Sequence, residues 1–142
     1  MEFKVSEIAW EEASHELAAI RRQVFVVEQK VPEDLEWDGI DRQCRHVLAR
    51  DATGRPVGTG RLLPDGHIGR MAVLAPWRGK GIGDAMLLSL LAMARADGHA
   101  VALLNAQTYA VPFYTRHGFE PDGEEFMEAD IAHRAMRLPL GD

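Results

Sequence analysis

Cysteine is almost missing from this chain: Cys44 stands alone among 142 residues. A single thiol excludes an internal disulfide and fits a reducing compartment. Long apolar runs are missing too, and no stretch approaches the roughly 18 consecutive apolar residues that a membrane span needs. The start, Met1-Glu2-Phe3-Lys4, lacks the basic beginning and apolar run of a secretion signal. These absences predict a cytoplasmic protein with no membrane partner. Lysine is scarce: of 16 basic residues only Lys4, Lys30 and Lys80 are lysines, and 22 acidic residues leave a net charge of −6. Such a surface repels phosphate backbones and speaks against nucleic acid as a partner. The six histidines show no His-x-x-x-His or Cys-His spacing, so no metal is expected.

What is present is an ordinary globular composition, 46% apolar and 27% charged, of a length that fits one domain spanning 1–142. No repeat or linker divides it. Phe3, Val5 and Ile8 predict a first strand over 2–9. Leu17, Ile20, Val24 and Val27 sit at helical spacing within a helix expected over 11–28. After Pro32 a polar stretch to Arg45 predicts a loop with a short helical turn. Three strands follow, over 46–50, 57–63 and 68–74; the turns Asp51-Ala52-Thr53-Gly54 and Pro64-Asp65-Gly66 between them predict antiparallel pairing. A helix over 82–96 is apolar nearly all round and therefore buried. The short apolar run 101–104 predicts a strand covered on both faces. A brief helix over 110–117 and strands over 119–126 and 134–140 complete the order β-α-β-β-β-α-β-α-β-β, an α/β domain with one central sheet.

Arg78-Gly79-Lys80-Gly81-Ile82-Gly83 lies between the strand over 68–74 and the buried helix. Backbone N–H groups in the first turn of a helix have no internal partner, and the helix dipole adds partial positive charge there. Glycines let a ligand approach the backbone, and Arg78 and Lys80 supply local positive charge, so a phosphate or pyrophosphate suits the loop. The plainer alternative is a tight turn and nothing more; the placement before a buried helix favours the anion site. The Walker spacing Gly-x-x-x-x-Gly-Lys-Ser/Thr does not occur. Nor does Gly-x-Gly-x-x-Gly, since Gly79-x-Gly81 leads to Asp84 and Gly81-x-Gly83 leads to Met86.

With Arg78-x-x-Gly81-x-Gly83 followed by Gln107-x-x-Ala110-x-x-Phe113-Tyr114-x-x-x-Gly118-Phe119, nearly the whole chain resembles the GNAT superfamily of acyl-CoA-dependent N-acyltransferases. The resemblance implies a single-domain α/β GNAT fold, with a mixed, mostly antiparallel central sheet flanked by helices. It implies acetyl-CoA as cofactor, with no metal, its pyrophosphate held by the amides of Lys80, Gly81, Ile82, Gly83 and Asp84 beside Arg78 and Gly79. Met71, Ala72 and Val73 would pair with the pantetheine arm, and Gln107, Ala110, Phe113 and Tyr114 would complete the cofactor site. Gln107 departs from the Asn that usually opens the second motif, which puts that contact in question. A homodimer is a common assembly of this fold.

The implied reaction moves an acetyl group directly onto a small-molecule amine within a ternary complex. It needs a neutral amine, donors for the developing oxyanion and a proton for the departing thiolate. The resemblance assigns the oxyanion to the Val73 amide and the proton to Tyr114. The strand Ile68-Gly69-Arg70-Met71-Ala72-Val73 carries no carboxylate to act as base. Candidates are Glu28, which closes the apolar run from Val24, and Glu128 or His133 near the C-terminus, or a water chain to one of them. The segments 25–29 and 128–133 are similar to a small bacterial GNAT subgroup, and in the fold they flank the acceptor pocket. Glu128 and His133 are therefore also expected to line it. Arg61 and Arg70, on neighbouring strands, are expected either to reach an acidic group on the acceptor or to be ion-paired. Two other readings share the same motifs: a silent acyl-CoA-binding sensor, and an acetyltransferase acting on proteins or peptides.

Overall fold

The computed structural model describes residues 2–141. Strands β1 (Phe3–Ile8), β2 (Arg45–Asp51), β3 (Pro56–Leu62) and β4 (Ile68–Val73) form one antiparallel sheet in the order β1-β2-β3-β4. Between β1 and β2 lie helix α1 (Trp10–Arg21) and the short α2 (Glu33–Glu36). The turn after β2 is held by Asp51, whose carboxylate accepts from the backbone N–H groups of Thr53 and Arg55. Helix α3 (Ile82–Ala96) follows β4. Strands β5 (Val101–Gln107), β6 (Glu120–Pro121), β7 (Phe126–Glu128) and β8 (Ile131–Pro139) make a second antiparallel sheet in which β8 pairs with all three others. Helix α4 (Val111–Arg116) lies between β5 and β6.

The expected single sheet is thus divided. β4 and β5 are neighbours, yet they meet only at an isolated parallel bridge between His67 and Leu103, where the Leu103 N–H donates to the Gly66 carbonyl at 3.1 Å. Beyond that point the two strands diverge, and each presents an unpaired edge to a cleft. One core spans the division: Val47, Val57 and Leu62 of the first sheet join Ala102, Leu104 and Met136 of the second around α3. Seven side chains of α3 are buried; the six larger ones each contribute about 1.5–3 kcal/mol gross before conformational entropy is counted, and Ala94 less. α3 sits close to the sheet because β3 carries glycine beneath it. A Cβ at Gly58 would lie 3.1 Å from Ile82 Cγ2, and one at Gly60 would lie 3.0 Å from Leu90 Cδ1. The other face of the first sheet is covered by α1, through Leu17 and Ile20, and by Val24 just beyond it, all packed with Leu48 and Ala72.

Four expectations change in detail. The helix over 11–28 is kinked at Ala13 (φ −138°) and α-helical only to Arg21; Arg22–Glu28 widens into π-helical turns, and Gln29 N–H reaches back to the Val24 carbonyl at 3.0 Å. The strand over 101–104 extends to Gln107 and is covered on one face: Ala102, Leu104 and Ala106 are buried while Asn105 is exposed. The strand over 119–126 is interrupted at Asp122–Glu125, so β6 and β7 are separate. Finally, β7 and β8 form a tight hairpin through Ala129 and Asp130, both in the left-handed region (φ 52° and 60°).

Candidate active site

The glycine loop has the form an anion requires. Gly79 (φ 77°) and Gly81 (φ 87°) lie in the left-handed region, which an L side chain enters at a cost, and open space adjoins both α-carbons. Gly81 is the N-cap of α3 and no side chain caps that end. The first hydrogen bond into the helix runs from Ala85 N–H to the Gly81 carbonyl, so the amides of Ile82, Gly83 and Asp84 are unspent within it. Gly83 lets the Phe113 ring lie 3.5 Å from where its Cβ would stand. The first motif therefore rests on the second, and the Asp84 carboxylate fixes the pair by meeting His117 Nε2 at 2.7 Å.

Beside the loop, β4 is bulged: Arg70 and Met71 together face Gly60 of β3, and Arg70 takes φ 49°. Past the bulge the Leu74 N–H donates to the Val57 carbonyl, which turns Ala72 toward β3 and Val73 toward the cleft. The Val73 carbonyl accepts from Arg78 Nε at 2.9 Å, and the Arg78 fork grips both oxygens of Glu28 at 2.5 and 2.8 Å. Glu28 is consequently not a buried, poised base. It is solvent-facing, and the Arg78 hydrogen bonds hold its carboxyl below the usual range.

Tyr114 stands on the far side of the cleft, edge-on to Phe113 and Phe119. Burial pushes its phenol up to about 12. Among the described residues its hydroxyl has one partner, the thioether sulfur of Met71 at 3.7 Å, and a thioether is a weak acceptor. A protonated donor is therefore held, nearly unused, against the bulged strand. Gln107, by contrast, is engaged: its side-chain N–H donates to Gln29 Oε1 at 2.7 Å, tying the end of β5 to the end of the π-helical segment. Ala110 lines the cleft one turn before Tyr114.

A cavity of about 370 Å³ opens from this point, lined by Phe25, Gln29, Arg70, Met71, Tyr114 and His133 among others. Its wall toward α2 is a buried network of alternating charges. Arg21, 1% exposed, bonds Glu36 at 2.8 Å and Asp41 at 2.6 Å and lies over the Trp37 ring. Arg61, 3% exposed, bonds Asp41 at 2.8 Å and Asp38 at 2.5 Å, and Arg70 meets Glu36 at 3.2 Å and Asp38 at 3.4 Å. Burial alone would raise Asp38, but the Arg61 and Arg70 guanidiniums bring it down to about 2; at Glu36 burial wins and the carboxyl is raised. Both Arg61 and Arg70 are ion-paired in this structure, and both line the cavity. Arg61 is a wall-builder whose hydrogen-bonding face is taken by two carboxylates, and Arg70 reaches the cavity only as part of the same network.

The C-terminal hairpin closes the opposite side. His133 is buried, stacked at 5.8 Å on Phe126, with Nδ1 2.7 Å from the Ile131 carbonyl; Nε2 lies 3.7 Å from Glu128, whose carboxylate is exposed. Tyr114, Arg61, Arg70, Glu128 and His133 thus share one cavity, while Glu28 stands at the loop. Sequence reasoning missed Arg21, Glu36 and Asp41, which build the wall, and Phe126, which seats His133. Arg21 on the apolar stripe of Leu17 and Ile20, and the short acidic turn Glu33–Glu36, were the available signals.

This arrangement defines a class. A family profile for the acetyltransferase (GNAT) domain matches residues 8–140, and the chain belongs to that family. Among its relatives is the uncharacterized N-acetyltransferase YjcF of Bacillus subtilis, 41% identical over 122 residues that cover 82% of this chain and 86% of the relative. Of solved structures, an acyl-CoA N-acyltransferase from Pseudomonas aeruginosa superposes with a TM-score of 0.85 at 30% identity, covering 96% of this chain and 99% of its own. Escherichia coli ElaA gives 0.85 at 26% identity with the same coverage. The protein is an acyltransferase of the GNAT type. No helix among the described residues is long and apolar enough to cross a membrane.

Proposed function

We propose that this chain is a single-domain cytoplasmic N-acetyltransferase that takes its acetyl group from acetyl-CoA and delivers it directly to a small amine. The residues fit that cofactor on three counts. The uncapped helix end with two left-handed glycines suits a pyrophosphate. The unpaired edge of β4 suits the amide-bearing arm. Arg78 can exchange Glu28 for phosphate oxygens. The amides of Lys80 to Asp84 would hold the anion, while Met71 and Val73 would line the arm; Ala72, expected beside them, is turned to β3 and buried.

Bound acetyl-CoA supplies an acetyl group already activated as a thioester. Val73 aims its N–H into the cleft, where it opposes the negative charge that grows on the carbonyl oxygen. Tyr114, whose hydroxyl lies against Met71 on the same strand as Val73, would donate to the departing sulfur. A phenol raised to about 12 is fully protonated at neutral pH but is a weaker acid than a free one. Complete transfer to a thiolate near 8.5 would be uphill by roughly 5 kcal/mol. Tyr114 accordingly acts first as a hydrogen-bond donor to the developing thiolate, and yields its proton as the substrate nitrogen gives one up. The observation that carries this reading is the Tyr114 hydroxyl, protonated and bonded to nothing stronger than a thioether.

The test is calorimetry with acetyl-CoA, free coenzyme A, ATP and NAD on wild type and Gly81→Trp. Selective coenzyme binding that the substitution abolishes is the expected result, and no binding to wild type would refute the assignment. Tyr114→Phe should lower turnover roughly 10²–10⁴-fold with coenzyme affinity intact.

A further inference from the structure

We propose that His133 is the base that removes the proton from the incoming amine, through Nε2, and that Glu128 hands that proton to solvent. This rests on the acetyl-transfer reading above and assigns the group that β4 does not carry.

Three observations lead to it. First, the ring's protonation pattern is set by its partner. Nδ1 lies 2.7 Å from the Ile131 carbonyl, which can only accept, so Nδ1 carries the hydrogen and a neutral ring leaves Nε2 with a free lone pair. Second, the ring is held there. It is 7% exposed, stacks on Phe126 and stands opposite Gln107 in the β5–β8 register, at the strand end from which the second motif departs. Third, the other acids near the cavity are committed: Glu36 to Arg21 and Arg70, Asp38 to Arg61, and Glu28 to Arg78. Among the described residues that line the cavity, the proton acceptors left are His133 Nε2, the exposed Glu128 beside it, and His67, which is half-exposed and paired through Nδ1 with exposed Asp65; of these only His133 is buried.

The 3.7 Å between Nε2 and Glu128 Oε2 exceeds a hydrogen bond, and a neutral ring has no Nε2 hydrogen to donate. Once Nε2 has taken a proton, that carboxylate becomes the imidazolium's nearest counter-charge and its path outward. The balance closes. An ammonium substrate gives one proton to Nε2 and so gains the lone pair that forms the N–C bond as the C–S bond breaks. A second proton leaves that nitrogen to restore Tyr114, which has protonated the thiolate. One proton is released to solvent per acetyl group moved.

The test uses the full chain with acetyl-CoA and a panel of primary amines of graded basicity, from alkylamines and peptide α-amines to weakly basic aryl and alkoxy amines, read by release of free thiol. His133→Gln should lower kcat/KM about 10²–10³-fold for alkylamines, which arrive protonated. It should regain most of that loss with amines already neutral at the assay pH. Calorimetric affinity for free coenzyme A should not change, and Glu128→Gln should show a smaller loss. Independently of turnover, the ring ¹⁵N spectrum of the neutral ring in wild type with free coenzyme A should show the hydrogen on Nδ1 and a bare Nε2. A hydrogen on Nε2 instead would overturn the assignment, as would a His133→Gln protein equally impaired, or unimpaired, with both classes of amine. Wild type that binds coenzyme A yet acetylates no amine would sink the transfer reading itself, and His133 as its base would go with it.

Discussion

Removing Arg21 should expose how much the cavity wall depends on paired burial. Its guanidinium is 1% exposed and serves Glu36 through Nε, Asp41 through Nη1 and the Glu36 carbonyl through Nη2. Arg21→Met keeps the stem but leaves two buried carboxylates short of a partner. Breaking a buried pair in this way typically costs about 3–5 kcal/mol, which for a chain of this size lowers Tm by about 10–20 °C. The loss should depend on pH in a defined direction. Burial raises the Glu36 carboxyl against the opposing pull of Arg70 and Arg21, and deleting one of those cations raises it further. A carboxyl whose folded value lies above its unfolded one favours the fold when protonated, and that benefit fades as pH rises through the folded value. The gap between variant and wild type should therefore be narrower near about pH 5 than near about pH 8. Urea melts at both pH values measure it, and Arg21→Met/Glu36→Gln should be more stable than the two separate losses added together. A gap below about 1 kcal/mol, or one that widens toward acid, would refute the reasoning.

Three further outcomes follow from the same geometry. Gly81→Val forces a β-branched residue to φ 87° and should weaken coenzyme A binding at least about tenfold by calorimetry, with the bulk of the fold intact by circular dichroism. Ala129→Asn, at φ 52° in the two-residue turn between β7 and β8, should stabilise by about 1 kcal/mol in urea melts, because Asn tolerates the left-handed region that Ala resists. In a Tyr109→Phe background, tyrosinate absorbance should rise only near pH 12. The unfolded chain loses the Tyr114 proton near 10, so stability should fall as pH climbs between those values.

How far the sequence discloses this molecule depends on how local each feature is. The glycine loop and α3 are legible because their signals, Gly81 before Ile82-Gly83-Asp84 and a helix apolar all round, are contiguous. The turns at Asp51 and Pro64 announce their hairpins for the same reason. The division of the sheet is not legible. Periodicity marks β4 and β5 as strands, but nothing within Val101–Gln107 says that its partner will be β8 and not β4. The β7–β8 hairpin escapes because Ala129-Asp130 lacks the Asn-Gly or Asp-Gly signature of its turn. At the site, Tyr114 can be placed from its motif. The fate of Arg61 and Arg70 cannot, since their partners Glu36, Asp38 and Asp41 come from a loop that folds across the sheet from 20 to 34 residues away. Glu28 misleads for a related reason: an acid after four apolar residues suggests burial, whereas the π-helical turns carry it out to Arg78.

The parted edges of β4 and β5 also bear on how the molecule behaves in company. An exposed strand edge is an invitation to any extended chain, including a second copy of this one, and most proteins cover or charge such edges. On the cofactor reading proposed above, this edge has to stay bare. Protection comes from shape: the strands touch at His67 and Leu103 and diverge slowly from there, with α3 across one side. A slot of that form admits a thin, unbranched chain of amides and excludes a strand bearing side chains on both faces. The geometry that leaves room for a slender ligand therefore also discourages aggregation, and filling in the β4 bulge at Arg70–Met71 to straighten that edge would put the second benefit at risk.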